Sequence, residues 1–338
     1  MPEHNPNEQA VTFTSAGVRL SGTLTTPNAD GLSPAVMLLP GSGRTDRDDN
    51  AKTMALNLFP ELVAELSSIG FATFRYDKRG VGSSEGDYFA TGFDDQLADA
   101  SAAVVWLAGR PEVDPKRIFV LGHSEGAMNA VRLAAGAAGA GTEAVAGIVL
   151  LGGSAKTGEE TMLWQGHQIA PTITGFNKLI INLLRIDVVT SQVKGINRLK
   201  ATSADVARMQ GQKINAKWVR EFLAYDPAPD LAKVHVPVLA ITGANDIQVD
   251  PDDLRLMAEL IPAEVESHVV PDVTHLFRAD PSRGGLKDYK KQTKRPVDPR
   301  VVGYVTAWLA AHGIVSSTFP FARRDSSRSN AARKSEKS

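Results

Sequence analysis

A serine flanked by glycines is the first feature with chemical content. It lies in Gly122-His123-Ser124-Glu125-Gly126. The residues before it, Arg117 to Leu121, are mostly β-branched or large and apolar. Those after it, Ala127 to Ala135, are good helix formers. A strand, a tight turn and a helix would put the Ser124 hydroxyl at the tip of the turn, the geometry of a nucleophile elbow. Glycine is needed at both flanks because a Cβ there would strike the neighbouring strand and helix. A serine hydroxyl is a weak nucleophile until a base takes its proton and a third group orients that base.

The chain has seven histidines. His4 lies in a polar leader, and His123 is next to the serine and projects away from its hydroxyl. His167 falls in a helical stretch, His235 precedes a strand, His268 lies within one, and His312 ends the last helix. His275 follows a strand, in Pro271-Asp272-Val273-Thr274-His275-Leu276-Phe277, and is the candidate base. The candidate orienting acid is Asp246, which follows the apolar run Val238 to Ile241. Asp250, Asp252 and Asp253 read instead as the start and N-cap of a helix. The order Ser, Asp, His then follows the chain. An oxyanion would need backbone N–H donors. Glu125 supplies one, and the loop Pro40-Gly41-Ser42-Gly43 the other, from Ser42 first and Gly43 second.

These residues need a scaffold that brings four loops to one edge. The pattern predicts a hairpin over 11–26, then buried strands over 35–39, 71–76, 117–121, 144–151, 236–242 and 266–270. Amphipathic helices are predicted over 58–69, 93–107, 252–261 and 301–311. Short apolar runs alternating with helices indicate a mostly parallel sheet covered on both faces. Loops at the carboxyl ends of such strands share one edge, where ligands bind. Residues 154–228 break the alternation. Helix-like segments over 161–169, 177–186, 203–210 and 217–224 predict a helical cap. Trp164, Phe176, Trp218 and Phe222 either line a substrate pocket or form the cap's own core. The organisation expected is a core over 11–153 and 229–313, a cap over 154–228 and a disordered basic tail over 314–338.

Of 338 residues, 37 are Lys or Arg and 38 Asp or Glu, so net charge near neutrality gives no footing for nucleic acid. Cysteine is absent, which excludes disulfides, thiolate metal sites and a cysteine nucleophile. No run of about 18 apolar residues marks a membrane span. The start of the chain lacks a basic and then apolar leader, so a cytoplasmic protein is expected.

Five motifs in this order carry a resemblance. They are Leu39-Pro40-Gly41-Ser42-Gly43-Arg44-Thr45-Asp46-Arg47-Asp48, Arg75-Tyr76-Asp77-Lys78-Arg79-Gly80-Val81-Gly82-Ser83-Ser84, the Gly122–Gly126 turn, Gly243-Ala244-Asn245-Asp246-Ile247-Gln248-Val249 and Thr274-His275-Leu276-Phe277. The chain resembles the α/β-hydrolase serine hydrolases, and within them bacterial esterases with a G-H-S-E-G elbow. It departs at Pro40, where many relatives carry histidine. The resemblance implies an α/β-hydrolase fold, no cofactor or metal, and a small-molecule ester as substrate, with Ser124, His275 and Asp246 acting in acyl transfer. Short to medium acyl chains are expected. A peptidase, a thioesterase and a non-catalytic binding protein on the same fold stay open, as does a monomer or homodimer.

Overall fold

A computed structural model describes the chain outside residues 1–6, 29–30, 137–144, 176–177, 179–180, 182, 184–186, 210, 283 and 314–338. The elements in order are β1 (Asn7–Ser15), β2 (Val18–Thr26), β3 (Ser33–Leu39), α1 (Leu58–Ser68), β4 (Ala72–Tyr76), α2 (Phe93–Ala108), β5 (Val113–His123), α3 (Glu125–Ala134) and β6 (Val145–Leu151). Then come α4 (Gly158–Ile169), α5 (Val188–Lys200), β7 (Val206–Met209), β8 (Gln212–Asn215), α6 (Ala216–Ala224), α7 (Ala228–Leu231), β9 (Val238–Gly243), α8 (Asp253–Leu260), β10 (Val265–Val270), α9 (Tyr289–Gln292) and α10 (Pro299–Gly313).

Eight strands form one sheet in the order β1-β2-β4-β3-β5-β6-β9-β10. β1 and β2 are antiparallel to each other, and β2 to β4; from β4 to β10 every pairing is parallel. The central strands are apolar over Ala35–Leu39, Ile118–Leu121 and Val145–Leu151, where both faces are covered. On β5, Ile118 and Val120 enter one core with β3 residues Ala35, Met37 and Leu39. Phe119 and Leu121 enter the other with Val36 and Leu38. Alternation of period two thus feeds two cores from one strand. The first core is closed by α2, α3 and α8, the second by α1 and α10. Full burial of each such Leu, Ile or Phe contributes about 1.5–3 kcal/mol relative to exposure.

The segment between β6 and β9 departs from expectation. Within the helix expected over 203–210, the described residues 203–209 are not helical: Val206–Met209 pairs antiparallel with Gln212–Asn215. Gly211, at φ +80°, sits between the two strands, in a conformation that ends a helix and suits a turn. Ala207, Met209 and Ile214 then pack against Ile196, Leu199, Val219 and Leu223. Over so short a run, strand and helix spacing look alike, and packing decides. The helix Val188–Lys200 has no counterpart in the sequence reading. The helix expected over 177–186 lies largely outside the described residues, as does the tail over 314–338. No described helix is long and apolar enough to cross a membrane.

Candidate active site

The turn after β5 places Ser124 at φ 55° and ψ −115°. A residue with a Cβ adopts this conformation at a cost of order 1–3 kcal/mol, and surrounding structure must hold it there. The Ser124 N–H donates to Leu151 O at 2.8 Å, which ties the turn to β6. A Cβ on Gly122 would lie 2.1 Å from Gly126 O, and one on Gly126 would lie 2.1 Å from Leu39 O. The two glycines therefore let α3 start directly over β5 and β3. The first N–H groups of α3 point out of its end without intrahelical partners and favour negative charge beside Ser124.

Two strands to one side, the loop after β9 carries Asp246, which is fully buried. Its Oδ1 accepts from the N–H groups of Gln248 and Val249 at 2.7 and 2.9 Å. Its Oδ2 lies 2.7 Å from His275 Nδ1, on the loop after β10. A carboxylate only accepts, so Nδ1 carries a proton and the lone pair is left on Nε2. The His275 ring faces the elbow side: a Cβ on Gly152, beside Ser124 in the cavity wall, would stand 3.1 Å from its Cε1. Asp250 and Asp253 do not compete for the ring; both pair with Lys156. Asp252 is the N-cap of α8.

After β3, the loop with Ser42 and Gly43 borders the same cavity as Ser124 and Glu125. Ion pairs brace it. Arg47 reaches Asp77 at 2.6 Å and Arg75 reaches Asp48 at 2.7 Å. Burial pushes the Asp77 carboxyl up, but hydrogen bonds from Arg47 and Ser83 outweigh it and hold its pKa below the usual carboxylate range. Lys78 Nζ donates to Gly41 O at 2.5 Å and to Glu125 Oε1 at 2.8 Å, joining this loop to the elbow. That pairing gives the Glu125 side chain a role that the sequence reading leaves unexplained. Residues 47 apart leave no local pattern by which to find it.

The cavity above Ser124 has a volume of about 360 Å³. Tyr88 and Phe89, from the turn before α2, form part of its wall with Met128, Met162, Ile214, Trp218, Val219 and Phe222. Trp218 and Phe222 stack at 4.8 Å, and Phe222 also packs on Phe93 and Met128, so the pair serves both as wall and as core. Trp164 is half-buried on α4 and is not among the described lining residues. Phe176 lies outside the described residues. Tyr88, Phe89 and Lys213 border the cavity without any signal in the sequence; their segments fold toward it only in three dimensions.

Residues 54–282 match the family described as serine aminopeptidase, S33. The chain belongs to this family. Among relatives of this S33 protein, Esterase EstD of Thermotoga maritima is 28% identical over 299 residues, covering 86% of this chain. The chain spans 65% of the length of that relative. Two solved structures share the α/β-hydrolase fold. DcsB, in complex with a substrate analogue, aligns with TM-score 0.60 at 20% identity, over 91% of this chain and 100% of its own. Est1E of Butyrivibrio proteoclasticus, with ferulic acid bound, aligns with TM-score 0.59 at 17% identity, over 90% of this chain and 99% of its own.

Proposed function

We propose that this S33 family chain is a serine carboxylesterase. The observation that carries the reading is the Asp246–His275 pair, buried on the same sheet edge as a strained serine turn and below a largely apolar cavity. Ser124 Oγ attacks the ester carbonyl while His275 Nε2 takes its proton. Asp246 keeps the proton on Nδ1 and stabilises the imidazolium that forms. The N–H groups of Ser42 and Glu125 receive the oxyanion, with Gly43 as the alternative donor in its loop; one such donor contributes about 10²–10³ in rate. The tetrahedral species collapses, His275 returns the proton to the leaving alcohol, and the acyl group stays on Ser124. Water, deprotonated by His275, then releases the carboxylic acid. Trp218 and Phe222 line the acyl side of the cavity, which suits short to medium chains. The printed name of EstD supports ester chemistry.

The family description raises a second reading, an aminopeptidase. That activity must recognise a free α-ammonium group, which calls for a carboxylate in the cavity. Among the described lining residues the carboxylate available is Glu125, and it is buried and paired with Lys78. The cavity is therefore better matched to neutral acyl groups.

Labelling with a fluorophosphonate probe, followed by turnover of p-nitrophenyl esters, aminoacyl anilides and acyl-CoA by the parent and Ser124→Ala, tests the reading. The parent should label at Ser124 and favour the esters. Ser124→Ala should stay folded and lose turnover by up to ~10⁶. Absence of labelling would point to a binding protein, and preference for anilides or acyl-CoA would move the substrate class.

A further inference from the structure

Behind the nucleophile lies a second acid–imidazole pair that the mechanism above leaves unused. Asp49 Oδ1 accepts the Gly41 N–H at 2.8 Å, and Asp49 Oδ2 faces His123 Nδ1 at 2.5 Å. On its far side, His123 Nε2 lies 3.1 Å from the backbone carbonyl of His275. Asp49 and His123 are 3% and 4% exposed, so these bonds have no competition from solvent.

The connectivity is specific. Gly41 directly precedes Ser42, the proposed oxyanion donor. His123 directly precedes Ser124. The carbonyl that His123 grips belongs to the proposed base itself. We propose that Asp49 and His123 are a positioning pair that sets the separation between the oxyanion loop and the base, and so governs turnover. This rests on the roles given above to Ser124 and His275.

Three further observations bear on it. First, both ring nitrogens of His123 face acceptors, a carboxylate and a carbonyl, so the pair must hold two protons between them to make both bonds. Burial works against a charged ring, yet the Asp49 carboxylate and its hydrogen bond raise the His123 pKa above its ordinary value. Second, the contact is close. A Cβ on Gly41 would stand 3.2 Å from His123 Nδ1 and 3.5 Å from Ser124 Cβ, so the loop rests directly on the ring and the elbow. Third, Asp49 sits at φ 62°, a left-handed conformation that short polar residues tolerate best. Its turn is held by Asp46, whose Oδ1 accepts the N–H groups of Asp48 and Asn50 and whose carbonyl accepts the N–H of Asp49. Strained residues of this kind persist where the surroundings over-determine them, and they cluster at functional sites.

The test separates positioning from simple support of the fold. Asp49→Asn keeps an oxygen for the Gly41 N–H and offers an amide N–H to Nδ1 of a neutral His123, so all three links survive. Asp49→Ala removes two of them. His123→Gln can serve Asp49 or the His275 carbonyl but not both. Each variant is checked for fold by circular dichroism and thermal unfolding, then assayed on one p-nitrophenyl ester with kcat and KM resolved. Asp49→Ala should lower kcat about 10- to 100-fold with KM within about threefold, as expected when reacting groups are misplaced by a fraction of an ångström to an ångström. Asp49→Asn should regain most of that loss, and His123→Gln should fall between the two. A folded Asp49→Ala with parental kcat, or an Asp49→Asn as slow as Asp49→Ala, would overturn the proposal. If Asp49→Ala does not fold, His123→Gln decides, and parental kcat there sinks it. Turnover surviving in Ser124→Ala would instead overturn the assignment on which the pair depends.

Discussion

The sheet edge carrying Ser124, Asp246 and His275 and the segment between β6 and β9 that faces it are held by different forces. At the edge, the loops carrying Ser124 and Asp246 leave strands buried at their ends, the loop carrying His275 leaves the edge strand β10, and each is fixed within a few residues. Asp246 makes three hydrogen bonds with no exposure, and the loop after β3 is clamped by Arg47, Arg75 and Lys78. The facing segment has a small core of its own, Ile196, Leu199, Ala216, Val219 and Leu223. It joins the rest through Phe222 on Phe93 and Met128, the Asn215 amide on the Tyr88 and Thr91 carbonyls, Lys217 on Asp95, Glu221 on the Asp94 N–H and Lys156 on Asp250 and Asp253, and its last part sends Leu231 and Val234 into the first core. On the proposed function, the edge would place the reacting atoms to a fraction of an ångström, while the wall, with a small core of its own, would select among acyl groups by shape.

The sharpest way to break this contrast is at the edge. In Asp246→Asn, the backbone N–H groups of Gln248 and Val249 hold the remaining carbonyl oxygen, which turns the amide N–H toward His275. The ring then accepts at Nδ1 and carries its proton on Nε2, the wrong tautomer for a base. Turnover should fall about 10⁴-fold with the fold intact. Measured kcat within tenfold of the parent would mean that the pair does not orient the base. On the facing wall, Trp218→Ala should act differently. Acetate esters should keep kcat/KM within about threefold, while longer acyl esters should lose about tenfold, in line with the 1–3 kcal/mol that lost apolar contact is worth in a pocket. Equal losses across the acyl series would show that the wall also positions the reacting centre. The smallest effect concerns acid stability. The lowered Asp77 pKa contributes stability that is present above the ordinary carboxylate pKa and is lost as pH falls through the lowered value. Arg47→Met should lower stability near pH 7 and move the acid-unfolding midpoint to higher pH. An unchanged midpoint would remove this pair from the clamp.

The same contrast governs what could be read in the amino-acid sequence. The edge was legible because the ends of its inner strands are buried and apolar, and because each chemical residue follows its strand closely. The Gly122 and Gly126 requirement also follows from local geometry, although the atoms they approach, in α3's first turn and on Leu39, come from the fold. The wall was less legible. Its hairpin at Val206–Asn215 is too short for periodicity to separate from a helix. Trp164 and Trp218 look alike as aromatics on amphipathic stretches, and packing alone sends one of them to the cavity. Pairings between distant residues left no trace either. Arg278, three residues after His275, is fully buried and bonded to Leu56 O and Glu61. His123 points to partners on two other loops, Asp49 and the His275 carbonyl.

On the proposed mechanism, the left-handed backbone at Ser124 sets thermostability and chemistry against each other at one position. Glycine there would release the conformational penalty and remove the hydroxyl in the same step. A screen that scores survival on heating and ignores turnover would therefore enrich inactive chains changed at that very residue. Any programme to harden this protein has to read activity alongside melting, or it will select against the feature that distinguishes the turn.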